Sequence, residues 1–184
     1  MIRFKLHRVN LLAIGAAAAL LAAGGVMCLG PSGDGKGRDG SAATTPASDT
    51  KPYSTNKQKP NIMIFAGSQG AESINSNIFE NIELFTKNFH LLHLTGEQGI
   101  ERARFIKHRL PKDLQKFYDP VDFLSSEMPA AYKWADIVVA RGGMNSLSEL
   151  AALSKPSIIV PLPSSTNNHQ FKNASFLAQH GAIR

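Results

Sequence analysis

Four short apolar runs constrain the fold open to this chain: NIMIF (61–65), HLLHL (90–94), DIVVA (136–140) and SIIVP (157–161). They are continuous rather than alternating. A strand with one wet face alternates apolar and polar residues, whereas a continuous run is buried on both faces, as in a parallel sheet covered by helices. Between the runs Ile74, Ile78, Ile82 and Phe85 recur at helical spacing. So do Leu147, Leu150 and Ala151, then Phe171, Ala174 and Ala178. The order predicts an α/β, Rossmann-like parallel sheet with helices on both faces. A weaker strand is expected near Leu114–Tyr118, and Tyr132 and Trp134 read as core residues of a short helix.

The runs begin only at residue 61, and composition divides the chain there. Residues 1–30 open with Arg3, Lys5 and Arg8 and continue uncharged from Asn10 to Gly30, the pattern of a signal peptide or membrane anchor. Residues 31–60 carry one large apolar side chain, Tyr53, and read as a disordered linker. Residues 61–184 form the domain. The net charge of +6 is unevenly placed: residues 1–60 hold eight Lys/Arg against three Asp/Glu, and residues 61–184 hold twelve against eleven. A nearly neutral domain speaks against a nucleic-acid partner. The basic stretch 101–113 reads as a solvated helix face, with contact to anionic lipid as the alternative. The single cysteine, Cys28, excludes an internal disulfide, and the six histidines show no metal-ligand spacing, so no metal and no cofactor is expected.

Ligands of open parallel sheets bind beyond the carboxyl ends of the strands, and the turns expected there are polar and small. Ala66-Gly67-Ser68-Gln69-Gly70 follows the first run. Its backbone N–H groups and the next helix start suit a phosphate; a plain βα turn uses the same residues. It matches neither Gly-x-Gly-x-x-Gly nor a P-loop. The second turn runs from Arg141 through Gly142, Gly143, Met144, Asn145, Ser146, Leu147 and Ser148 to Glu149. Ser146 and Glu149 have the spacing of a capping box; alternatively the Glu149 carboxylate accepts from a ribose diol. The third turn, 162–174, brings Asn167, Asn168, His169, Gln170 and Asn173 to a helix start. Amides suit sugar hydroxyls because they donate and accept at once; they also serve as helix starters.

In this order, "GSQGA", "MPAAYKWADIVVARGGMNSLSELAALSKPSIIVPLP" and "NNHQFKNASFLAQHGA" resemble the C-terminal domain of family-28 glycosyltransferases. The likeness is to members that transfer N-acetylglucosamine to a lipid-linked muramoyl-peptide in peptidoglycan synthesis. It implies the C-terminal half of a GT-B glycosyltransferase, holding UDP-N-acetylglucosamine and transferring with inversion. It implies that Ser68, with Gln69 and Gly70, meets the diphosphate or sugar. Backbone groups of Leu124 would meet uracil. The turn Arg141 to Glu149 would hold the nucleotide, with Glu149 on the ribose, and Gln170, beside His169 and Asn173, would meet the sugar hydroxyls. The catalytic base is not assigned.

Departures qualify the match. Ala66 replaces a glycine, and one extra residue stands between Phe123 and Tyr132. The acceptor-side Gly-rich loop and an Asn-Pro-x-Arg segment are missing, and the chain stops short of the closing helices, so the domain is expected to be incomplete at its C-terminus. The resemblance implies a cytoplasmic membrane face, a lipid-linked acceptor and a separate N-terminal half. The basic N-terminus instead suggests export or anchoring. The alternative function is a non-catalytic nucleotide-sugar-binding module or an inactive fragment.

Overall fold

The computed structural model describes residues 27–29, as backbone, and residues 59–66, 71–162 and 168–179. Most of the signal-like segment and of the linker lies outside these. Among the described residues no helix is long and apolar enough to cross a membrane.

Six strands form one sheet among the described residues: β1 (Met27–Leu29), β2 (Asn61–Phe65), β3 (His90–Leu94), β4 (Tyr118–Val121), β5 (Ile137–Ala140) and β6 (Ser157–Ile159). Their order is β1-β6-β5-β2-β3-β4. Strands β2 to β6 are parallel, and β1 pairs antiparallel with β6, Cys28 opposite Ile158. The four apolar runs therefore supply β2, β3, β5 and β6. The helices are α1 (Ala71–Glu80), α2 (Ile82–Asn88), α3 (Glu97–Arg109), α4 (Lys112–Gln115), α5 (Met128–Trp134), α6 (Met144–Ala152) and α7 (His169–Gln179).

Burial on both sides explains why the strands are apolar throughout. Ile62 and Ile64 of β2 turn to one face with Leu91, Ile137, Val139 and Ile158, where Ile74, Ile78, Phe85 and Ala103 of α1–α3 cover them. Met63 turns to the other face with Leu92, Val138 and Ile159, under Ala131, Leu147, Leu150 and Ala174 of α5–α7. Each fully buried aliphatic side chain contributes roughly 1.5–3 kcal/mol.

One expectation is corrected. The weaker strand lies at Tyr118–Val121, not Leu114–Tyr118; residues 112–115 form the single turn α4. Pro120 and a half-buried edge position hide this strand from a search for apolar runs. The stripe Ile74, Ile78, Ile82 and Phe85 does face one core. It spans two helices interrupted at Asn81, whose side-chain amide donates to the carbonyl of Asn77 at 3.0 Å. The basic stretch lies on α3 and α4, with Arg104 paired to Glu101 at 2.8 Å and Lys107 to Asp119 at 3.3 Å, as a solvated face would be.

The chain runs β2, β3, β4 outward to one edge, then returns across β2 to lay down β5 and β6 on the other side. The switch point falls between β2 and β5, where Phe65 is opposite Ala140. Their C-terminal ends carry the first and second turns of the sequence reading, the usual ligand position in such sheets.

Candidate functional site

At this edge the β5–α6 turn, the approach to α7 and the start of α1 are bonded together. Arg141 directly follows β5 and is 6% exposed. Its guanidinium donates to the carbonyls of Val160 (3.1 Å) and Pro161 (3.3 Å), and to the hydroxyl of Ser73 at 2.6 Å. Burial lowers its pKa from the ordinary value. Gly142 lies against α7 so closely that a Cβ there would stand 2.5 Å from the Gln170 carbonyl oxygen. From α7, Asn173 donates through Nδ2 to the Gly142 carbonyl (3.2 Å), and Gln170 accepts through Oε1 from the Leu162 N–H (2.9 Å). Asn168, just before α7, holds a positive φ of 55°. His169 is exposed at the first position of the helix.

Helix α6 starts differently from the expected capping box. Its N-cap is Gly143, in extended conformation and without a side-chain cap. Ser146 therefore occupies the third helical position and Glu149 the sixth, too far in to bond back to the cap. Met144, Asn145 and Ser148 are exposed, Ser146 is half-buried and Leu147 is fully buried. Leu147 is thus a core residue, and its N–H donates to the Gly143 carbonyl at 3.0 Å. Glu149 is exposed, and its Oε2 accepts from the Tyr132 hydroxyl at 2.8 Å.

Beside the switch point, a cavity of about 800 Å³ opens over the ends of β2, β3 and β4. Phe65, Leu94, Leu124 and Met128 give it an apolar wall, and Asn75, Thr95 and Asp122 polar edges. Phe123 stands 66% exposed at its rim. Below lies a buried network. Asn75 Nδ2 donates to the Thr95 carbonyl (2.9 Å), so its Oδ1 accepts from His93 Nε2 (2.9 Å). Nε2 of His93 then carries the proton, and Nδ1 accepts from the Tyr118 hydroxyl (3.0 Å). Burial holds the His93 pKa down at about 3 and raises that of Tyr118.

Of the residues singled out in the sequence, Gln170 and Asn173 of α7 both meet Gly142, and Arg141, next to it in the chain, bonds instead to Val160, Pro161 and Ser73. Leu124 lines the neighbouring cavity. Ser68, Gln69 and Gly70 lie outside the described residues, as does Asn167. Asn75, His93 and Tyr132 were not singled out as site residues. A histidine inside the apolar run 90–94 was the available signal for His93; Asn75 stands among polar residues, which offered none. Among the described residues, no group of three or more His, Cys, Asp or Glu could hold a metal ion.

The model of the "Glycosyltransferase family 28 C-terminal domain" matches residues 61–184. The chain belongs to glycosyltransferase family 28. Similar curated members of family 28 carry the name UDP-N-acetylglucosamine–N-acetylmuramyl-(pentapeptide) pyrophosphoryl-undecaprenol N-acetylglucosamine transferase. One, from Bacillus cytotoxicus, is 39% identical over 127 residues, covering 68% of this chain and 34% of the relative. Another, from Coxiella burnetii, is 38% identical over 123 residues, covering 66% and 33%. A third, from Prochlorococcus marinus, is 36% identical over 123 residues, covering 66% and 32%. The crystal structure of Acinetobacter baumannii MurG superposes with a TM-score of 0.55 at 26% identity, over 71% of this chain and 38% of that one. The family-28 fold expectation is thereby met, and the chain spans about a third of the length of the curated relatives it matches.

Proposed function

We propose that residues 61–184 bind UDP-N-acetylglucosamine as the donor-side domain of a transferase that delivers N-acetylglucosamine to a lipid-linked muramoyl-peptide. The observation that carries this reading is the convergence at the switch point. The turn after β5, the start of α6 and the start of α7 are held together by Arg141, Gly142, Gln170 and Asn173. The relatives' names supply the sugar and the acceptor class.

The chemistry of each part fits that ligand. The uncapped N–H groups at the start of α6 suit a diphosphate, because an unsatisfied helix N-terminus favours anions. Ser68, Gln69 and Gly70 would meet the diphosphate or sugar. Glu149 would accept from the ribose diol, and the cavity beside Leu124 would take the uracil ring. Gln170 and Asn173 would place amides by the sugar hydroxyls, with His169 nearby. In the reaction the sugar's anomeric carbon is attacked by an acceptor hydroxyl as UDP leaves. Donors around the diphosphate stabilise the charge that develops on it. The base that activates the acceptor is not among the residues assigned here; an N-terminal acceptor half would provide it. The donor is a cytosolic metabolite, so this reading puts the working site at the cytoplasmic face of the membrane.

Isothermal titration calorimetry of the full chain is expected to show saturable heat with UDP-N-acetylglucosamine and with UDP, and none with ADP. Equal heats with UDP and ADP, or none with UDP and UDP-N-acetylglucosamine, contradict the reading.

A further inference from the structure

The Glu149 carboxylate stands exposed on α6, where a glutamate side chain samples several rotamers. One neighbour fixes it. Tyr132 of α5 is 5% exposed and donates its hydroxyl to Glu149 Oε2 at 2.8 Å. The Tyr132 ring meets Phe65 edge-on, centroids 6.2 Å apart. It belongs to the cluster against which Leu124 and Met128 pack. Phe65, Leu124 and Met128 are wall residues of the cavity. One phenol thus joins the residues that wall this cavity to the Glu149 carboxylate.

We propose that Tyr132 is a positioning residue: its hydroxyl holds the Glu149 carboxylate so that Oε1 accepts a hydroxyl of the ribose diol. This rests on the assignment of Glu149 to the ribose. Burial and the bond to Glu149 raise the phenol's pKa. Tyr132 therefore remains a donor throughout the neutral range. A buried hydroxyl bonded to a carboxylate orients it at little entropic expense, because the ring is already fixed by packing.

The test compares UDP with 2′,3′-dideoxy-UDP, which lacks the diol, as calorimetric titrants of the full chain and of variants. Wild type is expected to prefer UDP at least tenfold. Glu149→Ala should abolish that preference. Tyr132→Phe keeps the ring and removes only the hydroxyl; it should weaken UDP three- to tenfold and leave dideoxy-UDP unchanged. A preference that survives Glu149→Ala overturns the ribose assignment itself. A preference lost in Glu149→Ala but intact in Tyr132→Phe overturns the positioning role alone. Equal weakening of both nucleotides in Tyr132→Phe also overturns it, since that is the signature of a damaged wall.

Discussion

Replacing Gly142 by alanine is expected to lower the affinity for UDP-N-acetylglucosamine at least tenfold and to destabilise the domain. The new Cβ would fall 2.5 Å from the backbone oxygen of Gln170 and 3.1 Å from its Cβ. The nearer obstacle is backbone, so a rotamer change cannot relieve it. Either the β5–α6 turn or the first turn of α7 must shift, and the bonds from Asn173 to Gly142 and from Leu162 to Gln170 stretch with it. Overpacking of this kind typically costs about 1–3 kcal/mol of stability. A tenfold loss of affinity corresponds to about 1.4 kcal/mol, so the distortion is large enough. Gly143→Ala is the control, because nothing lies within 4 Å of its added Cβ. Denaturant unfolding and calorimetry measure the two effects. Wild-type affinity in the folded Gly142→Ala protein would separate this contact from binding.

The second large effect is acid destabilisation through His93. Its ordinary pKa of 6.5 falls to about 3 in the fold because burial penalises the imidazolium. Below 6.5 the unfolded chain takes up a proton that the folded chain refuses until about 3. The unfolded state then binds more protons, so stability drops as pH falls. Above 6.5 the imidazole is neutral in both states and the full stability is present. The slope approaches about 1.4 kcal/mol per pH unit within this window. Across its width the loss would reach roughly 4–5 kcal/mol, a large part of the 5–15 kcal/mol typical of a folded protein. Urea unfolding at pH 7, 6 and 5 checks it. His93→Gln should lower stability at pH 7, since Tyr118 and Asn75 lose a matched partner, and should flatten the slope between pH 6 and 5. An equal acid slope in wild type and His93→Gln would contradict the neutral, buried assignment.

The sheet was legible because its strands are buried on both faces: a run such as Ile62-Met63-Ile64 admits few other readings. The β4 strand was misplaced because Asp119 and Pro120 break the apolar signal, while His90 and Lys107 partner Asp119 only in three dimensions. The antiparallel strand Met27–Leu29 was not anticipated, since its pairing with Ser157–Ile159 joins segments more than a hundred residues apart. At the site, composition marked three polar turns; of these the structure describes the second, whose Gly142 meets Gln170 and Asn173 at the start of α7. Their roles could not be ranked. Ser146 and Glu149 suggested a cap because spacing alone does not reveal that Gly143 starts the helix. Tyr132 looked like plain core because its ring is; the hydroxyl's partner lies 17 residues further on, across an intervening strand.

Hydrogen–deuterium exchange with and without saturating UDP-N-acetylglucosamine tests the central claim most directly. The account predicts slowed exchange in two peptides together: residues 142–149, which open α6, and residues 168–173, which open α7. Residues 106–116, from the end of α3 into α4 and away from the cavity, should not change. Binding that leaves the openings of α6 and α7 unprotected, or protects only one of them, would contradict a single site built at the junction of β2 and β5.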